Sequence, residues 1–250
     1  MSKDASGVNA RIWVDSGLLV GKEIPANYSQ SHYIRHVLRL AEGALVAVFN
    51  GINGEWLARV KFVGRKLCAF EAIQLLRAQV VEEGPWLFFA PVKKYRLDFM
   101  VQKSVELGVE RIHPVRTRRT VVRKIGKDRV LANAIEAAEQ CGRLTVPKVY
   151  EFTPLGDVIL DWPSDRTLFW CDETGGGTPA LDAFGDNLKP PAFLIGPEGG
   201  FERCERELLT AQSFSKAIDL GPRILRSDTA GLMALSLWQG AYSKSKVQTN

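Results

Sequence analysis

The 250-residue chain is poor in the side chains that bind metals or attack substrates. It has three histidines (His32, His36 and His113) and four cysteines. Cys68, Cys141, Cys171 and Cys204 stand far apart, with no CxxC pair and no Cys/His cluster. Such spacing speaks against zinc, and scattered thiols suit a reducing cytoplasm better than a disulfide framework. Long apolar runs are missing too. No stretch approaches the roughly 18 residues of a membrane span, and "MSKDASGVNA" lacks the apolar core of a signal peptide. There is no GxxxxGK[ST] phosphate loop, no GxGxxG opening a first βα unit, and no GxSxG to accompany a histidine. These absences point to a cytoplasmic, metal-free protein with no membrane segment and no nucleophilic triad.

What is present is the composition of a globular protein, with 46% hydrophobic and 24% charged residues. The net charge of +5 is unevenly spread. Residues 1–76 carry nine basic and six acidic groups, residues 77–133 thirteen and six, and residues 134–250 eleven and sixteen. A basic front and an acidic back suggest that a polyanion meets the front, the alternative being a solvated basic face.

In the first 75 or so residues "RIWV" (11–14), "ALVAVFN" (44–50) and "WLARVKFV" (56–63) read as strands. The turn residues of "NGINGEW" predict a hairpin between the last two. "SHYIRHVLRL" predicts one helix, with Ser31 as its N-cap. A small β-barrel with one inserted helix is the simplest assembly, over residues 1–76. The pattern changes at Glu82-Glu83-Gly84-Pro85, where a second domain, 82–245, is expected to begin. From there strands at 86–92, 111–115, 148–152, 167–171, 192–196 and 216–221 alternate with helices, including 96–108, 128–142, 202–214 and 229–242. Such alternation predicts an α/β layer sandwich with a mostly parallel sheet.

Open α/β sheets bind ligands at the carboxyl ends of their strands. Three loops there are unusual: "CDETGGGTP", "GPEGGF" and "LGPRILRSDTAG". Glycine lets backbone approach a ligand or adopt positive φ, and proline stiffens the turn beside it. Together the loops could line a pocket with amides and carbonyls that read a flat heterocycle. The half of the chain that contains them is acidic, which favours a neutral or cationic nucleoside over a polyphosphate. The alternative is that these glycines serve only tight turns.

"FLIGPEGGF" followed by "LGPRILRSDTA" resembles the cofactor motifs of the RsmE family of SPOUT-class methyltransferases. "HYIRHVLR" (32–39), "DFMVQKSVELGV" (98–109) and "EQCGR" (139–143) are also similar to that family, in the right order, so the resemblance spans about residues 11–240. It implies a PUA-like β-barrel that helps bind RNA, followed by an α/β domain tied in a trefoil knot. It also implies a homodimer with S-adenosylmethionine in the knot, and methylation of uridine N3 in 16S (small-subunit) ribosomal RNA. Where many members have R-(S/T)-E-T-A this chain has "RSDTA", so Asp228 is a shorter carboxylate. Two rivals remain: a related methyltransferase acting on a ribose 2′-hydroxyl or a tRNA base, and a non-catalytic RNA-binding assembly protein.

The resemblance assigns the cofactor to Cys171 and Asp172, to Leu194, Ile195, Gly196, Pro197, Glu198, Gly199 and Gly200, and to Leu220, Gly221, Ile224, Leu225, Thr229 and Ala230. Uridine N3 carries a proton, so transfer needs an acceptor for it and a cation to stabilise charge on O2 and O4. Arg226 is the candidate cation, or else a salt-bridge partner of Asp228 or Glu198. Glu198 and Asp228 are candidate bases, or else helix caps. For RNA, "RTRRTVVRKIGKDR" (116–129) packs seven basic residues around one acid, including Arg116, Arg118, Arg119 and Arg123. Such a run neutralises phosphates, unless it is simply solvated. Arg11, Arg35, His36 and Arg39 in the barrel and Arg143 in "EQCGR" are further candidates for RNA contact.

Overall fold

Apolar alternation over the first 81 residues resolves into five strands: β1 (Arg11–Trp13), β2 (Glu23–Pro25), β3 (Leu45–Phe49), β4 (Glu55–Val63) and β5 (Leu67–Arg77). The computed structural model describes residues 7–92, 94–185 and 189–248. The polar opening at residues 1–6 lies outside the described residues. Two compact units are found, residues 1–81 with 138–146, and residues 82–137 with 147–250.

In the first unit the strand order is β1-β3-β4-β5-β2, antiparallel except for β1 beside β3. Ile12 on one edge strand and Ile24 on the other share a core with Val46, Val48, Val60 and Phe70, which requires the sheet to curl. The expected β3–β4 hairpin is present. β2 and the eleven-residue β5 were not anticipated. The helix also differs from expectation. α1 spans Tyr28–His32 and continues as a π-helical turn, Tyr33–Val37, and its N-cap is Asn27 rather than Ser31. Asn27 and Gln30 bond each other's backbone N–H reciprocally at 2.9 Å. Ser31 is instead buried, its Oγ accepting from the Cys68 amide at 3.0 Å.

The unit is tied by one buried carboxylate. Glu55, 6% exposed, pairs with Arg11 through Oε1 and with Arg77 through Oε2 at 2.6 Å. Burial alone would raise its pKa, but hydrogen bonds and charge from Arg77 and Arg11 outweigh that and hold it below the usual carboxylate range. Arg11 also donates to the carbonyls of Ala138 (2.7 Å), Glu139 (2.9 Å) and Arg143 (2.8 Å). It thereby satisfies carbonyls left open where a helix ends.

The second unit contains β6 (Trp86–Phe89), α2 (Lys94–Glu106), β7 (Arg111–Arg116), most of α3 (Lys127–Cys141), β8 (Lys148–Val149), β9 (Thr153–Pro154), α4 (Leu155–Leu160) and β10 (Leu168–Cys171). It ends with β11 (Thr178–Pro179), α5 (Ala180–Phe184), β12 (Ala192–Ile195), α6 (Arg203–Thr210), β13 (Ser215–Asp219) and α7 (Ser227–Gln248). The sheet order is β11-β13-β10-β12-β6-β7-β8, with β9 beside β7, and every pairing is parallel. Central strands read as continuous apolar runs because both faces are covered; "AFLI" in β12 is buried throughout. The strand expected at 148–152 is cut to β8, with β9 a separate pair of residues just beyond it, and α6 stops earlier than the expected 214. No helix among the described residues is long and apolar enough to cross a membrane.

His113 of β7 lies between two rings, with Phe88 at 4.9 Å and Tyr150 at 4.8 Å between centroids. Burial pushes its pKa from 6.5 down to about 4. The unfolded chain therefore takes up a proton below pH 6.5 that the folded chain refuses until about pH 4. Stability is intact above that window and falls as pH drops through it, by roughly 2–3 kcal/mol for this group.

Glu55→Ala leaves two guanidiniums without a counter-ion and should cost about 2–4 kcal/mol, read from the denaturant midpoint. His113→Phe should flatten the loss of stability between pH 6.5 and 4, and an unchanged slope would refute the assignment.

Candidate active site

Because β13, β10 and β12 are adjacent and parallel, their carboxyl ends lie side by side. The loops that follow them enclose a cavity of about 390 Å³, within the range of small-molecule sites. The loop after β10 contributes Asp172, Glu173, Thr174 and Gly175, and β12 with its loop contributes Ile195, Gly196 and Pro197. The chain from Ile218 to Leu225 forms the third wall, and Ser227 and Ala230 of α7 close it.

Local bonds hold these walls. The Ser227 hydroxyl donates to the Gly196 carbonyl at 2.8 Å, and the Gly221 amide donates to Asp219 Oδ1 at 2.9 Å. Asp172 accepts from the Thr174 amide (3.1 Å) and hydroxyl (2.8 Å). Arg206 of α6 pairs with both Asp172 and Glu173. Burial opposes ionisation of Asp172, but Thr174 and Arg206 prevail and lower its pKa. Cys171 behaves oppositely: burial pushes its thiol up to about 12, so it is an inert wall rather than a nucleophile.

The glycines make room for the protein's own chain. A Cβ on Gly177 would stand 2.4 Å from the Ile218 carbonyl carbon. One on Gly200, whose φ is +69°, would stand 1.8 Å from Glu173 Oε1. Close approach is indeed what glycine permits here, but the partner is the protein itself, the backbone of β13 at Gly177 and the Glu173 side chain of the loop after β10 at Gly200.

Of the residues expected at the cofactor, Cys171, Asp172, Ile195, Gly196, Pro197, Leu220, Gly221, Ile224, Leu225 and Ala230 line the cavity. The other five lie elsewhere. Leu194 belongs to the core cluster with Trp170 and Phe201. Glu198, Gly199 and Thr229 are exposed outside the lining, and Gly200 is buried in the turn. Sequence reasoning passed over Glu173, Thr174, Arg223 and Ser227, which sit in the very loops it singled out, and Asp219, the last residue of β13 just before the third loop; their charges and hydroxyls were the available signal. Ile224, at 88% exposure, is a cavity-mouth residue and not a core residue.

Arg226 is exposed and makes no ion pair among the described residues, so the salt bridge to Asp228 or Glu198 is not formed. Glu198 caps no helix, since the N-cap of α6 is Glu202. Asp228 stands in the first turn of α7, where the helix dipole favours an anion. Its Oδ1 is buried yet accepts no hydrogen bond among the described residues. Arg96, in the first turn of α2, was not anticipated. Its Nε donates to Tyr95 Oη at 2.9 Å, and Tyr95, with weaker help from Asp228 and Glu198, raises its pKa.

Arg116, Arg118, Arg119 and Arg123 are all exposed. Three of them, Arg116, Arg118 and Arg123, line a groove of about 860 Å³ bounded by Cys204, Glu205 and Leu208 of α6. In the first unit His36 and Arg39 are exposed, and Arg39 has φ +53°. Arg35 instead donates to the carbonyls of Gly64 and Arg65 and lies over the Phe62 ring. Arg11, expected at RNA, is occupied inside the protein by Glu55 and three carbonyls. Arg143 Nη2 donates to Thr145 Oγ1 at 3.1 Å. No group of three or more potential metal ligands occurs among the described residues.

Residues 83–239 match the family model of the RNA methyltransferase domain, and residues 27–73 match the RNA methyltransferase PUA domain. The chain is 28% identical to the ribosomal RNA small subunit methyltransferase E of Rickettsia conorii, covering 90% of this chain and 93% of that one. It is 30% identical to the enzyme of that name from Bacillus subtilis, covering 82% and 85%. A Legionella pneumophila methyltransferase solved with SAM superposes with a TM-score of 0.82, at 29% identity over 93% of this chain and 98% of that one. The Neisseria gonorrhoeae ribosomal RNA small subunit methyltransferase E bound to S-adenosyl methionine also gives 0.82, at 28% identity over 92% and 97%. With its PUA domain and its α/β domain each matched, the chain belongs to the RNA methyltransferase family that includes the ribosomal RNA small subunit methyltransferases E.

Proposed function

We propose that this protein methylates N3 of a uridine in 16S ribosomal RNA, with S-adenosylmethionine bound in the 390 Å³ cavity. The carrying observation is the cavity itself: three backbone-rich loops at one sheet edge, with Asp172, Glu173 and Asp219 in its lining. A carboxylate-lined wall favours a sulfonium over a phosphate, and Ile195, Ile224 and Leu225 offer apolar surface to a nucleoside. The structural relatives of 28–29% identity hold that same cofactor.

The bound cofactor supplies an electrophilic methyl group on sulfur. The chain's own residues must orient N3, receive its proton and stabilise the anion. Asp228 is the best-supported acceptor, because a buried carboxylate oxygen without a hydrogen bond is costly and calls for a donor. Arg226, with no ion pair among the described residues, and Arg96, in the field of Asp228, supply positive charge for O2 and O4. Protonation of Asp228 as N3 gains its methyl group balances the step.

In this reading residues 1–76 hold RNA through His36 and Arg39, residues 82–245 carry the chemistry, and the 116–123 segment takes up phosphates along its groove. The cytoplasmic ribosomal small subunit is the partner. The trefoil crossing and the homodimer belong to the same proposal. Tyr95 and Phe99, 68% and 47% exposed one turn apart on α2, support it with apolar surface for a second copy.

Deleting the gene should remove one uridine reverse-transcription stop from small-subunit RNA, since N3 methylation blocks base pairing. Wild-type protein should restore the stop and Asp228→Asn should not. If no uridine stop disappears, the assignment is wrong; loss of a 2′-hydroxyl methyl group instead would move the target to ribose. At the cavity mouth, Ile224→Ser should weaken S-adenosylmethionine binding by roughly 5–10-fold through lost apolar burial. Calorimetry reads that change, and the thermal midpoint should stay put because the side chain is exposed.

A further inference from the structure

The basic segment and the cofactor cavity are joined by one exposed side chain. Arg119 Nη1 donates to the Gly199 carbonyl at 2.6 Å. Gly199 follows Pro197, which lines the cavity, in a turn closed by the Gly200 amide on the Pro197 carbonyl at 2.9 Å. The start of that turn is anchored from within by Ser227 on Gly196, and its far side is held from without by Arg119. The backbone beneath Arg119 is fixed separately, because the Arg118 amide donates to the buried Glu205 carboxylate at 2.8 Å. What is left adjustable is the Arg119 side chain.

A guanidinium carries five N–H donors in a planar fork. Here one is on Gly199, and the nearest carboxylate, Glu202, stands 3.9 Å from Nε, beyond hydrogen-bond distance. The Arg119 side chain is 50% exposed. A phosphate can therefore take the open edge of the fork, displacing the loosely held Glu202, while Nη1 stays on Gly199. The phosphate removes the guanidinium's freedom and so pins the turn that forms the cavity wall. Arg118, whose side chain comes within 3.8 Å of Glu202, and Arg123 in the groove have no such bond to the turn among the described residues.

We propose that Arg119 is a positioning residue through which RNA phosphate on the basic segment tightens cofactor binding in the cavity. The proposal rests on the function proposed above. By linkage the effect is reciprocal, so bound cofactor tightens RNA by the same factor.

Equilibrium dialysis of labelled S-adenosylhomocysteine tests it, with and without saturating small ribosomal subunits from cells lacking the gene. Wild-type protein should bind about 5–10-fold more tightly when subunits are present. Arg119→Ala should weaken binding without subunits and abolish the gain. Arg119→Lys keeps the charge but not the fork, so it should still bind subunits while losing the gain. Arg123→Ala should need more subunits to saturate and then show the full gain. A full gain in either Arg119 variant, or no gain in wild-type protein that binds the cofactor, overturns the proposal. Wild-type protein that takes up no S-adenosylhomocysteine in either condition overturns the functional reading, and this proposal with it.

Discussion

The position of β10 between β12 and β13, all three parallel, is the constraint on which the site depends. Parallel neighbours deliver their following loops to the same edge however far apart they stand in sequence. The loops starting at Asp172, Gly196 and Leu220 are thereby forced into one another's space. Small residues at Gly177 and Gly200 then follow from crowding at this edge, since a Cβ would meet the β13 backbone at Gly177 and the Glu173 side chain at Gly200. The cavity is what remains when three tight excursions cannot close completely. A ligand site made this way combines loop backbone with the few side chains that the crowding leaves at its edge, Asp172, Glu173 and Asp219 among them.

Crowded loops bring carboxylates together, and that repulsion needs an answer. Asp172 and Glu173 share Arg206, which comes from α6 and also donates to the Phe201 carbonyl at 3.3 Å. α6 begins with Glu202 and Glu205 capping each other's amides, and Glu205 reaches on to the Arg118 backbone. The stretch from Gly196 to Arg206 is thus held on one side by the cavity acids and on the other by the basic segment. The charge asymmetry of the sequence, a basic middle and an acidic end, becomes in the fold a short-range network around this stretch.

The α/β class, the strand–helix alternation and the three loops were legible in the sequence because periodicity and glycine–proline punctuation are local signals. The loops were right as a set, while individual positions within them were less so. Leu194 and Ile195 are neighbours on β12, and only strand phase decides that one enters the core and the other meets the cavity. β5 escaped notice because its second half is exposed and lacks clean alternation. Ser31 looked like an N-cap because serine before an apolar run usually is one; a better capping box four residues earlier took that role. Arg96 could not be found at all, since its proximity to Asp228 is set by how α2 follows β6 beside β12.

The arginines show most sharply what sequence alone conceals. Arg11, Arg35 and Arg119 carry the same charge and were read alike as contacts for RNA. Arg11 has Nε on Glu55 and its terminal nitrogens on three carbonyls, so nothing useful is left for a phosphate. Arg35 closes a hairpin turn over Phe62. Arg119 has one donor on Gly199, only a loose approach to Glu202 at 3.9 Å, and a half-exposed side chain. Net charge counts all three equally, but a phosphate responds to unsatisfied donors, because displacing an existing hydrogen bond cancels most of the gain. The quantity that separates structural from binding arginines is therefore the number of N–H groups the fold leaves open. On that measure the electrostatic front of this protein is narrower than its composition suggests, and it is centred on the segment that holds the Gly196–Gly200 turn.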